Sequence, residues 1–494
     1  MPEPSRPSNP PTRAAEWVRD AAESVSSLPS PGLESRAAPS INSRELTVTI
    51  DLAEIERRLR RTRGFVEPEL SPGMAAGVLR VFGEPLTAAQ AVDRILAEVR
   101  VDGDAGVRRL TQAIDGAAPE HIEVPRSEWQ TAYDATEPAL RDALEVAAAR
   151  IRAFHERQRR TSWFDATDEG ILGQIVRPLE RVGVYAPGGT AVYPSSLLMT
   201  SVPARVAGVE EIVVCSPPHA GRVSPLILAA AHVAGVDRVF QVGGAQAIAA
   251  MAYGTETIPH VDKIYGPGNI FVILAKRRLY GVTAIDALPG PTETLLIADS
   301  AADPVLAAAD LLAQAEHDPM ASAILLTDSR TFADAVVDAL AEQLPDLDRT
   351  DIVTASLRQN GMVGVVPSLE AAVALANAYA PEHLCLLTAN PWDLVPLVRH
   401  AGGIFVGEDS PEALGDYTTG PSHVMPTGGT ARFFSPIHLN DFVKVINLAA
   451  ANRAALTRLG PATIALARAE GLTAHARAIE RRLPPLSQVE RGRG

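Results

Sequence analysis

Between Arg181 and Gly407, short β-branched runs alternate with helix-length stretches, and the alternation is gone through twice. The first pass reads "VGVY", "SSLLMTSVPARVAG", "EEIVVC", "VSPLILAAAHVAG", "DRVFQV" and "GGAQAIAAMAYG". The second begins near Thr294 with "TLLIAD", "DPVLAAADLLAQAEH", "SAILLT" and "TFADAVVDALAEQL". It continues with "VGVV", "SLEAAVALANAYA", "LCLLTA" and "GGIFVG". Apolar runs too short for helices, separated by helical stretches, read as βαβ units on parallel sheets. The expected fold class is therefore α/β, with two Rossmann-like parallel-sheet domains over 181–290 and 291–429. Two such domains leave a cleft between them, a favoured place for a ligand.

The flanks have another texture. Residues 1–45 are rich in Pro, Ser and Ala and poor in large apolar side chains, so they are expected to be a disordered extension. Residues 46–180 are expected to be mostly helical, because "AQAVDRILAEVR" and "ALRDALEVAAARIRAFHERQ" carry apolar residues at helical spacing. Residues 430–494 read as a helical tail. From Ala431 onward the tail holds ten Arg or Lys against four Asp or Glu, although the whole chain has a formal net charge of −14. A basic tail is either a solvated helix surface or a segment that docks on an acidic body, its own or a partner's.

The acidic balance argues against nucleic acid or an anionic membrane as partner. No run reaches the ~18 apolar residues of a membrane span. The opening "MPEPSRPSNPPTRAAEW" lacks the apolar core of a secretory signal. Cys215 and Cys385 are the two cysteines, both in or beside apolar strand-like runs. They imply buried thiols, no disulfide framework and a reducing compartment, the cytoplasm.

Three Gly-rich turns stand between strand and helix in the first α/β domain: "YAPGGTA" (185–191), "QVGGAQA" (241–247) and "YGPGN" (265–269). Glycine lets a backbone approach a ligand closely, and the helix start behind it offers free N–H groups to an anion. Each turn alone also fits a plain connection, and neither a full G-x-G-x-x-G nor a Walker A motif is present. Together they suggest a dinucleotide or another phosphorylated ligand, because they should share one end of one sheet.

Three further stretches carry ligand-type side chains. "LLAQAEHDP" closes a helix with Gln314 and His317 on one face. "LGDYTTGPSHVMPTGGTARF" holds Asp416 and His423 in a long irregular loop, a type that is often functional. "AEGLTAHARAIERR" holds Glu470 and His475 on the basic tail. Imidazole, carboxylate and amide oxygen together suit zinc or another borderline divalent ion. A capped helix end is the plainer explanation of the first stretch taken alone, and neither H-E-x-x-H nor C-x-x-C occurs. Finally, "YAPEHL" (379–384) sets Glu382 beside His383. Two groups that trade protons near neutral pH are costly to bury by accident.

In this order and at these spacings the segments resemble the histidinol dehydrogenase family. The resemblance runs from about residue 46 to 483. It rests on "VYAPGGTA", "GGAQAIAAMAYGT", "VDKIYGPGN", "GPTETLLIAD", "DLLAQAEH", "APEHL", "GDYTTGPSHVMPTGGTARF" and "EGLTAH". It implies a cytoplasmic enzyme of histidine biosynthesis that oxidises L-histidinol to L-histidine through histidinaldehyde, reducing two NAD. It implies an intertwined homodimer with one zinc per subunit, the tail of one chain completing the site of the other. Carried onto this sequence, the zinc ligands are Gln314, His317, Asp416 and, from the partner chain, His475. These four, with Thr292, His383, His423 and Glu470, are the implied substrate contacts. Tyr185, Gln246 and Asn269 are the implied NAD contacts, and Glu382 and His383 the implied catalytic pair. Thr292 and Ser422 stand where the family commonly has Ser and Asn. A relative acting on another small alcohol, or a binding protein on the same scaffold, are the competing readings.

Overall fold

The computed structural model describes residues 48–483 except 62–66, 68, 117–118, 189–191 and 220. The segment 1–45, expected to be disordered, lies outside the described residues. In chain order the strands are β1 (Val48–Thr49), β2 (Glu123–Val124), β3 (Trp163–Thr167), β4 (Gly170–Pro178), β5 (Arg181–Tyr185), β6 (Glu211–Cys215), β7 (Arg238–Phe240), β8 (Lys263–Tyr265), β9 (Ala284–Ile285), β10 (Glu293–Ala298), β11 (Ser322–Thr327), β12 (Met362–Val365), β13 (His383–Leu387), β14 (Gly403–Val406) and β15 (Val443–Ala451).

They form two six-stranded sheets and one of three. The first sheet has the order β2-β7-β6-β5-β8-β9, parallel except for the β2 edge. The second has the order β1-β12-β11-β10-β13-β14 and is parallel throughout. Leaving aside one edge strand in each, both follow the same path. The chain steps outward over three strands, then crosses back to lay two more on the other side of the first. This is the doubly wound α/β fold expected from the alternation.

Side chains of a strand alternate between the faces of its sheet, and both faces here are covered by helices. In the first sheet Val182, Val184, Ile212 and Val214 enter one core, while Tyr185, Val213, Cys215 and Ile264 enter the other. In the second, Leu296, Ala298, Leu325 and Cys385 face one core, and Leu295, Ile297, Leu326 and Leu384 the other. Cys215 and Cys385 are thus buried, free thiols, as their apolar surroundings implied, and burial pushes both thiols up.

The flanking regions are divided in space. Helix Leu52–Leu59 buries Ile55 and Leu59 against the second sheet, whereas helix Ala88–Asp115 packs Val92, Ile95 and Val99 on the first. The tail ends in two helices, Arg453–Ala469 and Thr473–Glu480, and also contributes β15, which the helical reading of 430–494 did not include. This strand pairs antiparallel along its length with β4, itself paired with β3, to make an arm. Most of β15 and all of β3 is exposed on both faces, so neither shows the apolar–polar alternation that marks a strand in sequence.

The linker 286–292 fixes how the two sheets meet. It leaves the first sheet at the end of β9 and enters the second at the start of β10. A linker this short reaches at most ~25 Å when fully extended. The carboxyl edge of the first sheet is thereby brought against the amino edge of the second.

Candidate active site

A cleft of about 2570 Å³ opens between those two edges. Its first wall is made by the turns after β5 and β8, and Pro187, Gly188, Pro267, Gly268 and Asn269 line it. Gly266 has φ +106, and a Cβ there would fall 2.2 Å from the Tyr185 carbonyl oxygen, so only glycine closes this turn. Asn269 caps helix Ile270–Leu279, its Oδ1 accepting from the N–H groups of Phe271 and Val272. Tyr185 Oη accepts from the Gly244 N–H at 3.0 Å, which ties the first Gly-rich turn to the second. Gln246 lies behind that turn, fully buried, with neither end of its amide hydrogen-bonded. The three Gly-rich turns therefore share one end of one sheet, as expected.

The second wall is set by β10 and β13, which lie side by side with Thr294 paired to His383. Helix Leu369–Tyr379 ends in Ala380 at φ 56, the one non-glycine residue with positive φ among those described. A left-handed alanine costs about 1–2 kcal/mol, and a conformation of that kind persists where the surroundings over-determine it, commonly at functional sites. From there Pro381 leads into Glu382 and His383. Both side chains are buried at the cleft.

The backbone of one residue orders this pair. The Glu293 N–H donates to Glu382 Oε2 at 3.1 Å, and the Glu293 carbonyl lies 3.1 Å from His383 Nδ1. Thr292 Oγ1 donates to the same Glu382 oxygen at 2.7 Å. A carbonyl can only accept, so the proton of a neutral His383 sits on Nδ1 and Nε2 keeps its lone pair. Nε2 is buried without a hydrogen bond, 3.6 Å from Asp416 Oδ1. His423 donates from Nδ1 to the Asp416 carbonyl at 2.7 Å and sets Nε2 3.1 Å from Ser196 Oγ.

Burial raises the Glu382 carboxyl to about 7, against the opposing pull of His383 and the Thr292 hydrogen bond. For His383 burial works downward, but the carboxylates of Glu382, Asp416 and Glu412 outweigh it and hold the ring up to about 10. Burial also works against ionised Asp416, yet the nearby charge of His383, with His423 and His317, keeps that carboxyl below its ordinary value. Burial lowers His317 and His423, so both rings favour the neutral form. His317 and Asp416 line the cleft together and lie within each other's electrostatic reach.

Residues 84–483 match the sequence profile of the family described as histidinol dehydrogenase. The chain belongs to the histidinol dehydrogenase family. It is 52% identical over 431 residues to the histidinol dehydrogenase of Deinococcus radiodurans, which covers 87% of this chain and 98% of that one. It is 51% identical over 396 residues to that of Thermus thermophilus, covering 80% and 95%. The crystal structure of histidinol dehydrogenase from Elizabethkingia anophelis superposes with a TM-score of 0.80 at 33% identity, covering 89% of this chain and 98% of that one. Membership of the histidinol dehydrogenase family makes the chain an oxidoreductase of histidine biosynthesis.

Of the residues that the family resemblance pointed to, Tyr185, Asn269, Thr292, His317, Glu382, His383, Asp416 and His423 all line the cleft. Gln246 and Gln314 are fully buried and do not line it. Glu470 and His475 do not line it: they lie exposed on the tail helices. Among the described residues no group of three His, Cys, Asp or Glu side chains is placed to hold a metal ion. The ligand set implied by the resemblance takes only two such side chains from one chain, His317 and Asp416. Gln314 has an unpaired, fully buried amide end, and the neutral ring of His317 and ionised Asp416 are the forms that bind metal.

Four residues escaped the sequence reading. Glu293 and Thr294 follow Thr292 directly but read as ordinary strand residues. Glu412 precedes Asp416 by one helical turn in helix Glu412–Tyr417, and that spacing was the only available signal. Arg61 gives none. Its guanidinium pairs with Glu293 and donates to the Tyr379 carbonyl at 2.8 Å, joining the amino-terminal region to the second sheet.

No helix among the described residues is long and apolar enough to cross a membrane.

Proposed function

We propose that this chain oxidises L-histidinol to L-histidine through histidinaldehyde, reducing two NAD. We further propose that it does so as a homodimer with one zinc ion per active site, in the cytoplasm. The observation that carries the reading is the second wall: a histidine with a free, buried Nε2 and a carboxyl raised to about 7 stand side by side at the cleft. The facing wall carries the Gly-rich turns.

Once a bound cation offsets the carboxylates that hold its ring up to about 10, neutral His383 would take the hydroxyl proton of the alcohol on Nε2, the nitrogen of its ring that is not engaged by the Glu293 carbonyl. Glu382 serves the second oxidation, where the aldehyde must first add water. Its carboxylate removes a proton from that water, and a value near 7 lets it take and release the proton at working pH. Thr292, held against Glu382, keeps the hydroxyl role of the usual serine. The burial of both side chains keeps bulk water away from the reacting atoms.

NAD, bound along the first wall by Tyr185, Gln246 and Asn269, would supply the acceptor for the two electron pairs released. Zinc, bound by Gln314, His317, Asp416 and His475 of the partner subunit, would orient the imidazole and amine of the substrate and offset the carboxylates that hold His383 up. His423 and Glu470 of the partner subunit complete the substrate contacts in this reading.

The dimer is supported by the arm. Trp163, Phe164, Leu172, Ile446 and Leu466 are exposed on β3, β4, β15 and the first tail helix, an apolar surface that a second copy would cover. The tail helices beyond carry Glu470 and His475 away from their own cleft.

The test is stoichiometric. Purified protein given L-histidinol and excess NAD is expected to yield two NADH per histidinol, with one zinc per subunit by elemental analysis. Absence of turnover with histidinol, alongside turnover of another small alcohol, would overturn the substrate. Mixing inactive His475→Ala and inactive His383→Asn proteins should restore part of the activity. No recovery after subunit exchange would overturn the shared site.

A further inference from the structure

Thr294 is fully buried in β10 and its hydroxyl touches two groups. Oγ1 makes a very close contact with Glu412 Oε2 and lies 3.1 Å from Gln314 Oε1. Gln314 Nε2 has no partner at all. This arrangement asks too much of one hydroxyl. It owns a single proton, and Glu412 in its ionised form is the stronger acceptor at close range. With that proton committed to Glu412, the contact with Gln314 needs its donor from the other side. The only donor Gln314 has is its NH₂ group.

The two ends of a carboxamide are told apart by the partners they meet. Turning the Gln314 amide over gives each proton of this hydrogen-bond chain an acceptor. Nε2–H then donates to Thr294 Oγ1, and Thr294 donates to Glu412. The atom left without a hydrogen bond becomes Oε1, an acceptor, on the residue whose backbone carbonyl meets the N–H of the cleft-lining His317. A free buried carbonyl oxygen is what a cation needs, and a free NH₂ would repel it.

We propose that Thr294 and Glu412 are positioning residues: their one-way hydrogen-bond chain turns the Gln314 oxygen toward the cleft and so sets the affinity of the site for a divalent cation. The inference rests on the reading of Gln314, His317 and Asp416 as metal ligands. It adds two residues that touch neither the cation nor the substrate. Outer-shell partners of this kind contribute about 10–100-fold to metal affinity.

The experiment measures zinc affinity by chelator competition on the full-length protein, together with the thermal midpoint of the zinc-free form. Thr294→Val removes the hydroxyl but keeps the β-branched shape of a strand residue. Thr294→Ser keeps the hydroxyl. Glu412→Met removes the carboxylate acceptor while Thr294 stays, so the hydroxyl proton is free to go to Gln314 Oε1 and turn its NH₂ to the cleft.

The expected result is a loss of about 10–100-fold in zinc affinity for Thr294→Val and for Glu412→Met, with Thr294→Ser within a few-fold of the unaltered protein. Wild-type affinity in Thr294→Val, or equal loss in Thr294→Val and Thr294→Ser, overturns the inference. Should Thr294→Val fail to fold, Glu412→Met decides alone, and unchanged affinity there overturns it too. The underlying reading is tested separately. If the unaltered protein takes up no zinc, or if His317→Ala and Asp416→Ala bind it as well as the unaltered protein, both readings fall together. Zinc held tightly by the unaltered protein and equally by the Thr294 and Glu412 variants removes only the positioning roles.

Discussion

The two parallel sheets follow the same strand path and meet the same cleft with opposite edges. The first presents its carboxyl edge, where β5 and β8 part at the switch in strand order. That is where doubly wound sheets generally bind ligands. The second presents its amino edge: Thr292 stands before β10, and Glu382 and His383 stand at the start of β13. Its own switch point, beyond Ala298 and Leu387, faces away from the cleft. The short linker 286–292 explains the difference, because it joins the end of one sheet to the beginning of the next. The edges also differ in kind. A carboxyl edge followed by helix starts offers N–H groups to an anion, whereas the amino edge here offers buried side chains with shifted proton affinities, Glu382 raised to about 7 and His383 to about 10. The comparison teaches that a fold repeated in one chain need not repeat its site, since the connection between the copies decides which edges meet.

If chemistry belongs to the second edge and cofactor binding to the first, variants should divide accordingly. His383→Asn removes the free Nε2 while leaving a side chain that can still meet the Glu293 carbonyl. Turnover is expected to fall by about 10²–10⁴, with NAD and zinc affinity preserved in equilibrium binding. A higher KM for NAD with kcat unchanged would break the division.

Arg61→Met comes next. It strips the charge partner from Glu293, whose side chain is 7% exposed and also accepts from the Gly428 N–H. Removing one member of a buried pair costs about 3 kcal/mol, readable by denaturant unfolding. Because the Glu293 backbone holds both Glu382 and His383, kcat should fall while the KM for NAD stays. Loss of stability with unchanged kcat would show that the Glu293 backbone holds its place without the ion pair.

Asn269→Ala is the matching change on the first edge. Loss of the cap should lower stability by about 1 kcal/mol and raise the KM for NAD, with kcat little affected. A fall in kcat as large as that of His383→Asn would erase the distinction between the edges.

How much of this could be read beforehand follows from the same contrast. The first edge was legible because glycine between a strand and a helix is a local signal: "QVGGAQA" and "YGPGN" announce their turns within a few residues. The strands buried on both faces were legible as well, since "TLLIAD" and "EEIVVC" are continuous apolar runs. β15 was missed because "VKVINLAAA" is exposed on both sides and shows no period of two. At the second edge, Glu382 and His383 stood out as a pair, but the groups that order them did not. Arg61 and Glu293 are joined across the chain, and Thr294 with Glu412 is a contact between a strand and a distant helix. No spacing in a sequence records such a meeting. Gln314 was assigned from the family resemblance, while the direction its amide faces depends on Thr294 and Glu412 and emerges only from counting protons in three dimensions.

The smallest effect concerns protons held by the folded chain. In zinc-free protein His383 is raised to about 10, from an ordinary value of 6.5, because three carboxylates outweigh the effect of burial. Between those two values the folded protein keeps a proton that the unfolded chain has released. Its stability must therefore fall as pH rises through this window. The contribution is complete below about 6.5 and gone above about 10. Thermal midpoints of the zinc-free protein should accordingly drop between neutral and alkaline pH, and His383→Asn should flatten that drop. The histidines that line the cleft, His317, His383 and His423, all follow the linker 286–292 whereas Asn269 precedes it, so Asn269→Ala should keep the wild-type slope. An unaltered slope in His383→Asn, or a flattened one in Asn269→Ala, would mean that the titrating charge is not gathered at the amino edge of the second sheet.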